Sequence, residues 1–251
     1  MAISSVNTVN RLVQILDSFT LDHPTWSLAD LSAQLGMPKS TLHRFLVSLE
    51  AHGILRRDSQ DKLWRLGYRL VIWGALAERV TGIRHIAEPV MQELAAKTGE
   101  MVALTVYVQQ EVVCIAKIDT RYSVRLALEV GARRPAHAGA SSKILMAYLS
   151  EEEVQSIIRE RGLAKLCTRT IVDPDELRAE LARIREQGFA ESIEETDLGA
   201  WGIATPVFGR QGEVVAAIGV AGPIQRYSLE LAQRFVDLCQ GACRQIAGQL
   251  A

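Results

Sequence analysis

The stretch SLADLSAQLGMPKSTLHRFLVSLEAHG, residues 27–53, decides the reading of the N-terminal part of the chain. Ser27 is a good N-cap, and Leu28, Leu31 and Leu35 follow at the spacing of one helical face. Gly36 ends that helix, because glycine accepts the left-handed conformation a helix C-terminus wants. Pro38 opens the next helix, where a missing N–H costs nothing. There Leu42, Phe45, Leu46 and Leu49 make an apolar face. Ser40, Arg44, Val47 and Ser48 point the other way, with Thr41 and His43 on the flanks. A short helix with a polar, cationic exposed face fits a DNA major groove, with Lys39, Ser40, Thr41 and Arg44 near base edges and phosphates. The solvated side of an ordinary helix pair carries the same residue types. The next segment separates the two readings. Residues 54–57 (ILRR) and 63–66 (LWRL) read as short strands around a polar turn, 58–62. A basic hairpin directly after a helix-turn-helix makes it a winged helix-turn-helix, with Arg56 and Arg57 on the wing.

The 251 residues allow one large domain or two modest ones, and 48% of them are hydrophobic, ample for real cores. The charge is uneven. Residues 1–84 hold ten Lys or Arg against seven Asp or Glu, whereas the remainder holds 18 against 22. A net charge of +3 on the first part and −4 on the second suits a DNA reader joined to a different kind of module. No apolar leader opens the sequence and the longest apolar run, residues 214–221, is too short to span a bilayer, so a cytoplasmic protein without membrane contact is expected. Cys114, Cys167, Cys239 and Cys243 lack a metal-like set of His or Cys companions. Cys239 and Cys243 share a helix face and could form a redox pair; buried free thiols are the simpler reading. No motif calls for a metal or a cofactor.

Further periodicities place the remaining elements. Val6, Val9, Leu12, Val13, Leu16 and Phe19 predict a first helix, with Arg11 facing away from the stripe, either touching a phosphate or as a simple surface charge. Residues 67–80 predict a helix that is apolar on more than one face, through Leu70, Val71, Ile72, Trp73, Leu76 and Val80, and such a connector packs against another subunit. From His85 a helix runs to Gly99, then strands are predicted at 101–108, 112–118 and 124–130. Helices follow at 141–149, after the Ser150/Glu153 capping box, and at 176–187. Strands at 189–193, 201–207 and 214–221 precede a long last helix, 228–250. Strands near both ends with helices between them give an α+β domain with a mainly antiparallel sheet.

These landmarks resemble the IclR family of bacterial transcription regulators over essentially the whole chain. The matching segments are NRLVQIL, LADLSAQLGMPKSTLHRFLVSLEAHGIL and WRLGYRL in the first part. In the second they are ELAAKTGE, HAGASSK, ARIREQGFA, EETDLG and GIATPVFGRQGEVVAAIGVAGP. The resemblance implies an N-terminal winged helix-turn-helix domain (1–67), a linker helix (68–84) and a C-terminal GAF-like effector-binding domain (85–251). It also implies homodimers, often paired into tetramers, on palindromic double-stranded operator DNA. The expected DNA contacts are Arg11, Ser27, Lys39, Ser40, Thr41, His43, Arg44, Arg56 and Arg57; Lys39, Thr41 and Arg44 match family positions that read the major groove.

Members that sense small oxoacids grip a carboxylate through backbone amides of the HAGASSK region and add an Asp, a Cys and two serines. Here the backbone element is Gly139, Ala140 and Ser141, while the four side-chain positions hold Ser192, Gly202, Gly219 and Ala221. Four smaller or less polar side chains, and one charge fewer, imply a bulkier ligand than glyoxylate or pyruvate: an aromatic or similarly bulky organic acid. Leu126, Leu128 and Trp201 are expected to offer it apolar surface. Catalysis is the competing class, an enzyme with an appended DNA-binding domain. Ser141 with Lys143, or Glu194 with Glu195, would have to supply it. A Lys two residues after a Ser lies about 200° around a helix, and adjacent residues of an extended strand face opposite ways, so neither pair converges.

Overall fold

The computed structural model describes residues 7–250, and of residues 79–81 the backbone alone. The chain divides into two compact units between Thr81 and Gly82. The first contains helices α1 (Asn7–Asp17), α2 (Leu28–Leu35) and α3 (Lys39–Ala51), strands β1 (Leu55–Arg57) and β2 (Trp64–Leu66), and helix α4 (Tyr68–Thr81). Ser27 caps α2 by accepting a hydrogen bond from the Asp30 amide (3.1 Å), and Gly36 ends it with φ at 61°. The wing is antiparallel, with Arg56 opposite Arg65 and Arg57 opposite Trp64. Trp26 adds a third backbone partner, exchanging two hydrogen bonds with Trp64, whose indole is 1% exposed. Ile15, Leu31, Leu42 and Leu46 are fully buried around that indole. Each such aliphatic side chain contributes about 1.5–3 kcal/mol by leaving water.

Helix α1 departs from the expected stripe. Its buried face is Leu12, Ile15, Leu16 and, just beyond the helix, Phe19, while Val9 and Val13 are exposed. The core takes the larger Ile15 in place of the two valines, which turns the apolar face by about 60° at 100° per residue. Arg11, one turn before Ile15, therefore stands on the flank of the buried face and not opposite it. Val6 lies outside the described residues, as does the side chain of Val80. The linker expected at 68–84 is shorter in the structure, because Gly82 adopts a left-handed φ of 61° and the next helix starts at Ile83.

The second unit contains α5 (Ile83–Thr98), β3 (Met101–Val108), β4 (Glu111–Ile118), β5 (Arg133–Pro135), α6 (Ala140–Ala147), α7 (Glu151–Glu160), α8 (Pro174–Gln187), β6 (Ala190–Ile193), β7 (Ala200–Phe208), β8 (Val214–Pro223) and α9 (Leu229–Leu250). Its six strands run in the order β5-β4-β3-β8-β7-β6, each antiparallel to its neighbours. Strand alternation sorts the side chains to two faces. Val102, Leu104, Ile203 and Val220 pack with α5 and α9, whereas Ala204, Ala217 and Val112 pack with α6, α7 and α8.

The strand expected at 124–130 is not formed. That segment runs as a loop, and the edge partner of β4 is the three-residue β5. Its alternation is nonetheless physical: Leu126 and Leu128 are half-buried while Arg125, Ala127 and Glu129 are exposed. The period of two reports an extended chain with one face covered, and the cover is a cavity instead of a sheet.

Candidate functional site

In the first unit, α3 presents Lys39, Ser40, His43, Arg44, Val47 and Ser48 to solvent, with Thr41 half-buried. Three buried leucines, Leu42, Leu46 and Leu49, fix the helix from behind, so the opposite face is held out as a unit. Among the described residues, Lys39, His43 and Arg44 make no hydrogen bond or ion pair within the chain, and their charge and donors are available to a partner. Ser27 differs. Its hydroxyl accepts from the Asp30 amide and donates to the Asp30 carboxylate at 2.6 Å, so both of its capacities serve the cap.

The wing cations are less free than the sequence suggests. Arg65 is clasped by Asp61 at 2.5 Å, which holds the Asp61 carboxyl down at about 2. Arg57 donates to the Lys62 carbonyl at 3.1 Å and lies over the Trp64 ring, and Arg56 lies over Tyr68. Arg56 and Arg57 are both exposed, and among the described residues neither guanidinium pairs with a carboxylate, although the Arg57 backbone amide donates to Glu50 at 3.2 Å. Helix α4, by contrast, exposes Tyr68, Val71, Ile72, Trp73 and Leu76.

In the second unit a cavity of about 260 Å³ lies between the β3/β8/β7 floor, the N-terminus of α6 and the 125–128 loop. Every residue expected at an effector site lines it: Leu126, Leu128, Gly139, Ala140, Ser141, Ser192, Trp201, Gly202, Gly219 and Ala221. Three of them do so differently from expectation. The Trp201 indole turns to the far side of the sheet, where it stacks on Phe235 and donates to the Pro223 carbonyl at 3.0 Å. Alternation makes this unavoidable, since Gly202 faces the cavity and its neighbour must face away. The volume freed at Gly219 is already used: a Cβ there would stand 2.6 Å from the Ser141 hydroxyl oxygen. At Gly202 a Cβ would make ordinary contacts at 3.7 Å with Ala140, Ala221 and the Val220 carbonyl, so a methyl group fits there without displacing a neighbour.

The third is Gly139, whose φ of 90° and contact with Thr196 suit no side chain. Its N–H donates to the Glu195 carboxylate at 3.1 Å and is not available to a ligand. The next three amides, of Ala140, Ser141 and Ser142, open α6 and have no acceptor among the described residues. They are the donors a helix start leaves unpaired, and they carry the positive end of its dipole. Glu195 also receives the ammonium of Lys143 at 2.6 Å, and Lys143 further reaches Glu180 and the Glu191 carbonyl, both at 2.9 Å. Burial opposes charge on Glu180, but Lys143 and Arg183 together hold its carboxyl below the ordinary range. Lys143 is 1% exposed and bound on three sides, so it is a structural tie with no free pair of electrons to offer Ser141. Glu194 turns away from Glu195, with φ at 53°, and accepts from the Gly199 amide.

The cavity also contains residues the sequence reading missed. Arg125 stands exposed at its wall, and Arg134 pairs with Asp197 at 3.6 Å beside it. Arg226 secures the loop that covers it, gripping Glu100 at 2.7 Å while donating to the Val124 carbonyl. Thr105 lines the floor; the alternation Met101, Ala103, Thr105 in an otherwise apolar strand was the available signal. Cys114 is buried and its thiol is pushed up to about 11 by burial, while Cys239 and Cys243 are free and buried in the α9 core. Among the described residues no group of His, Cys, Asp or Glu could hold a metal, and no helix is long and apolar enough to cross a membrane.

Comparison with known proteins bears on both units. The IclR helix-turn-helix domain matches residues 8–59, and the C-terminal domain of bacterial transcriptional regulator IclR matches residues 76–248. The transcriptional regulator KdgR of Dickeya chrysanthemi is 31% identical over 246 residues, 98% of this chain and 80% of that protein. A solved IclR homologue from Microbacterium hydrocarbonoxydans, complexed with 4-hydroxybenzoate, is 27% identical and covers 97% of this chain and 99% of its own, with a TM-score of 0.84. The fold is shared with a transcriptional regulator from Alicyclobacillus acidocaldarius at a TM-score of 0.88, 24% identity and coverage of 98% and 100%. With a helix-turn-helix whose outward face is unpartnered and a second unit built around a cavity, this chain belongs to the IclR family of transcriptional regulators, with an N-terminal DNA-binding domain and a C-terminal effector-binding domain.

Proposed function

We propose that the protein is a cytoplasmic one-component regulator that binds palindromic operator DNA as a homodimer, paired into tetramers, and answers to a bulky or aromatic organic acid from a degradation pathway. The α3 face supports the DNA reading: Lys39 and Arg44 can bond the O6 and N7 of guanine, and the Thr41 methyl can pack on thymine. The exposed apolar residues of α4 support self-association, since a patch of Val71, Ile72, Trp73 and Leu76 is costly in water. The target is expected to be a catabolic operon.

The observation that carries the ligand reading is the cavity itself. Three amides at the start of α6, without an acceptor among the described residues, meet a cavity whose lining includes Gly202, Ala221, Leu126 and Leu128. A carboxylate suits the amides and a flat apolar body suits the space. The ligand acts by population shift, binding more tightly to one of the states that differ in the spacing of the dimer's recognition helices. Titrating operator-bound protein with benzoate-type acids and, separately, with glyoxylate and pyruvate tests this. The aromatic acids should change operator affinity at concentrations where the small oxoacids do not. A response to the small oxoacids alone would refute the reading.

A further inference from the structure

Thr105 is a buried hydroxyl without a partner. Its residue is 5% exposed, it lines the effector cavity, and its Oγ1 has no hydrogen-bond partner among the described residues. A buried polar atom left unpaired is costly, and such atoms mark places that something else completes. The strand geometry explains why no protein group does so. Thr105 lies opposite Cys114 and Ala217 in the sheet, the Cys114 thiol is committed to the Ala116 carbonyl at 3.4 Å, and Ala217 has no polar side chain.

The same geometry sets where Thr105 stands relative to the amides of α6. Ser141 sits over Gly219, and Gly219 pairs with Ala103, two residues before Thr105 along β3. One strand spacing of ~4.8 Å and a two-residue rise of ~6.8 Å put Thr105 about 8 Å from Gly219, across the cavity floor. Of the cavity residues contributed by β3, β4 and β8, Thr105 carries the one hydroxyl; Met101, Ala103, Val112, Gly219 and Ala221 are apolar. On the sheet floor Thr105 thus offers a hydroxyl away from the α6 amides, with Ala103 and Gly219 between the two, while Ser192, Thr196, Arg125 and Arg134 belong to the other walls.

We propose that Thr105 is the specificity-determining residue for the far end of the effector, selecting acids that carry a hydrogen-bonding group, such as a ring hydroxyl, remote from the carboxylate. This rests on the bulky-acid reading above and sharpens it. A ring hydroxyl can both donate to and accept from the Thr105 hydroxyl, whereas an unsubstituted ring leaves that hydroxyl buried and unpaired.

The test measures dissociation constants of benzoate, 3-hydroxybenzoate and 4-hydroxybenzoate by calorimetry, on the full-length protein and on Thr105→Val and Thr105→Ser. The wild type should bind at least one hydroxylated acid about tenfold more tightly than benzoate. Thr105→Val, which replaces the hydroxyl by a methyl of the same shape, should erase that preference while keeping or improving benzoate affinity. Thr105→Ser should retain it. Equal affinities in the wild type, or a preference that survives in Thr105→Val, would overturn the assignment while leaving the bulky-acid reading intact. Binding of none of the three acids by the wild type would sink both. The wild-type comparison stands by itself should a variant fail to fold.

Discussion

In the DNA-binding domain Lys39, His43 and Arg44 stand in solvent with no partner among the described residues, whereas in the effector domain Lys143 is 1% exposed and bound to three acceptors. The first domain keeps its chemistry on side chains, held out by leucines packed behind them. The second spends the buried charge of Lys143 on its own frame and turns backbone amides and hydroxyls, Thr105 among them, to the cavity. The difference predicts that substitutions should separate cleanly. In α3 they should change DNA affinity without touching stability, and around α6 they should change stability first.

The largest effect should come from Lys143→Met. Removing the ammonium leaves Glu195, whose side chain is 9% exposed, with no cation among the described residues, while Glu180 keeps Arg183 at 2.7 Å. Breaking a buried pair from one side costs about 3–5 kcal/mol, because the remaining charge stays out of water. Urea denaturation should show that loss in the effector domain. Since Glu195 also holds the Gly139 amide, the start of α6 should loosen and ligand affinity should fall with it. The sign with pH follows from Glu180, whose lowered pKa adds stability at neutral pH that is lost as pH falls below the ordinary carboxylate range. A Lys143→Met protein as stable as the wild type would mean the tie is not what holds α6 in place.

Next in size is Arg44→Ala, on the opposite side of the comparison. It should lose about 1–3 kcal/mol of operator affinity and flatten discrimination between sites, with unfolding unchanged within ~0.5 kcal/mol. Arg56→Ala should instead weaken binding to all DNA alike and reduce the salt slope by about one. Gel-shift titrations at several salt concentrations distinguish the two. Unaltered selectivity in Arg44→Ala would remove α3 as the reading helix.

The contrast also explains what the sequence did and did not disclose. The α2–α3 face was legible because side-chain identity and helical period define it, down to the Ser27 cap and the Gly36 stop. The cavity lining was found through a family pattern, but the division of labour inside it was not legible. That Gly139 spends its N–H on Glu195 depends on a carboxylate 56 residues away, which no local period encodes. Residues 124–130 misled because alternation reports a covered extended chain whether the cover is a sheet or a cavity, and Trp201 misled because a large aromatic next to a site residue must face away from it. Thr105 shows the reverse case: its place on the cavity face follows from alternation, but its lack of a partner is a property of the packed structure.

The smallest effect tests whether the effector domain gives up stability for room. Gly202 lies within β7, where glycine is a poor choice, costing roughly 0.5–1 kcal/mol against alanine in chain entropy. Alanine would be tolerated sterically, because a Cβ there meets Ala140, Ala221 and the Val220 carbonyl at 3.7 Å, ordinary contact distance. Gly202→Ala should therefore leave stability unchanged or raise it by up to ~1 kcal/mol, while placing a methyl group beside the α6 amides. If the bulky acid lies against the bare backbone at Gly202, affinity for that acid should drop even as the protein becomes harder to unfold. Gly219→Ala supplies the control: its Cβ would displace the Ser141 hydroxyl, so it should cost stability and ligand affinity together. A Gly202→Ala protein that binds aromatic acids as well as the wild type does would show that the ligand lies elsewhere in the cavity, toward Leu126 and Leu128.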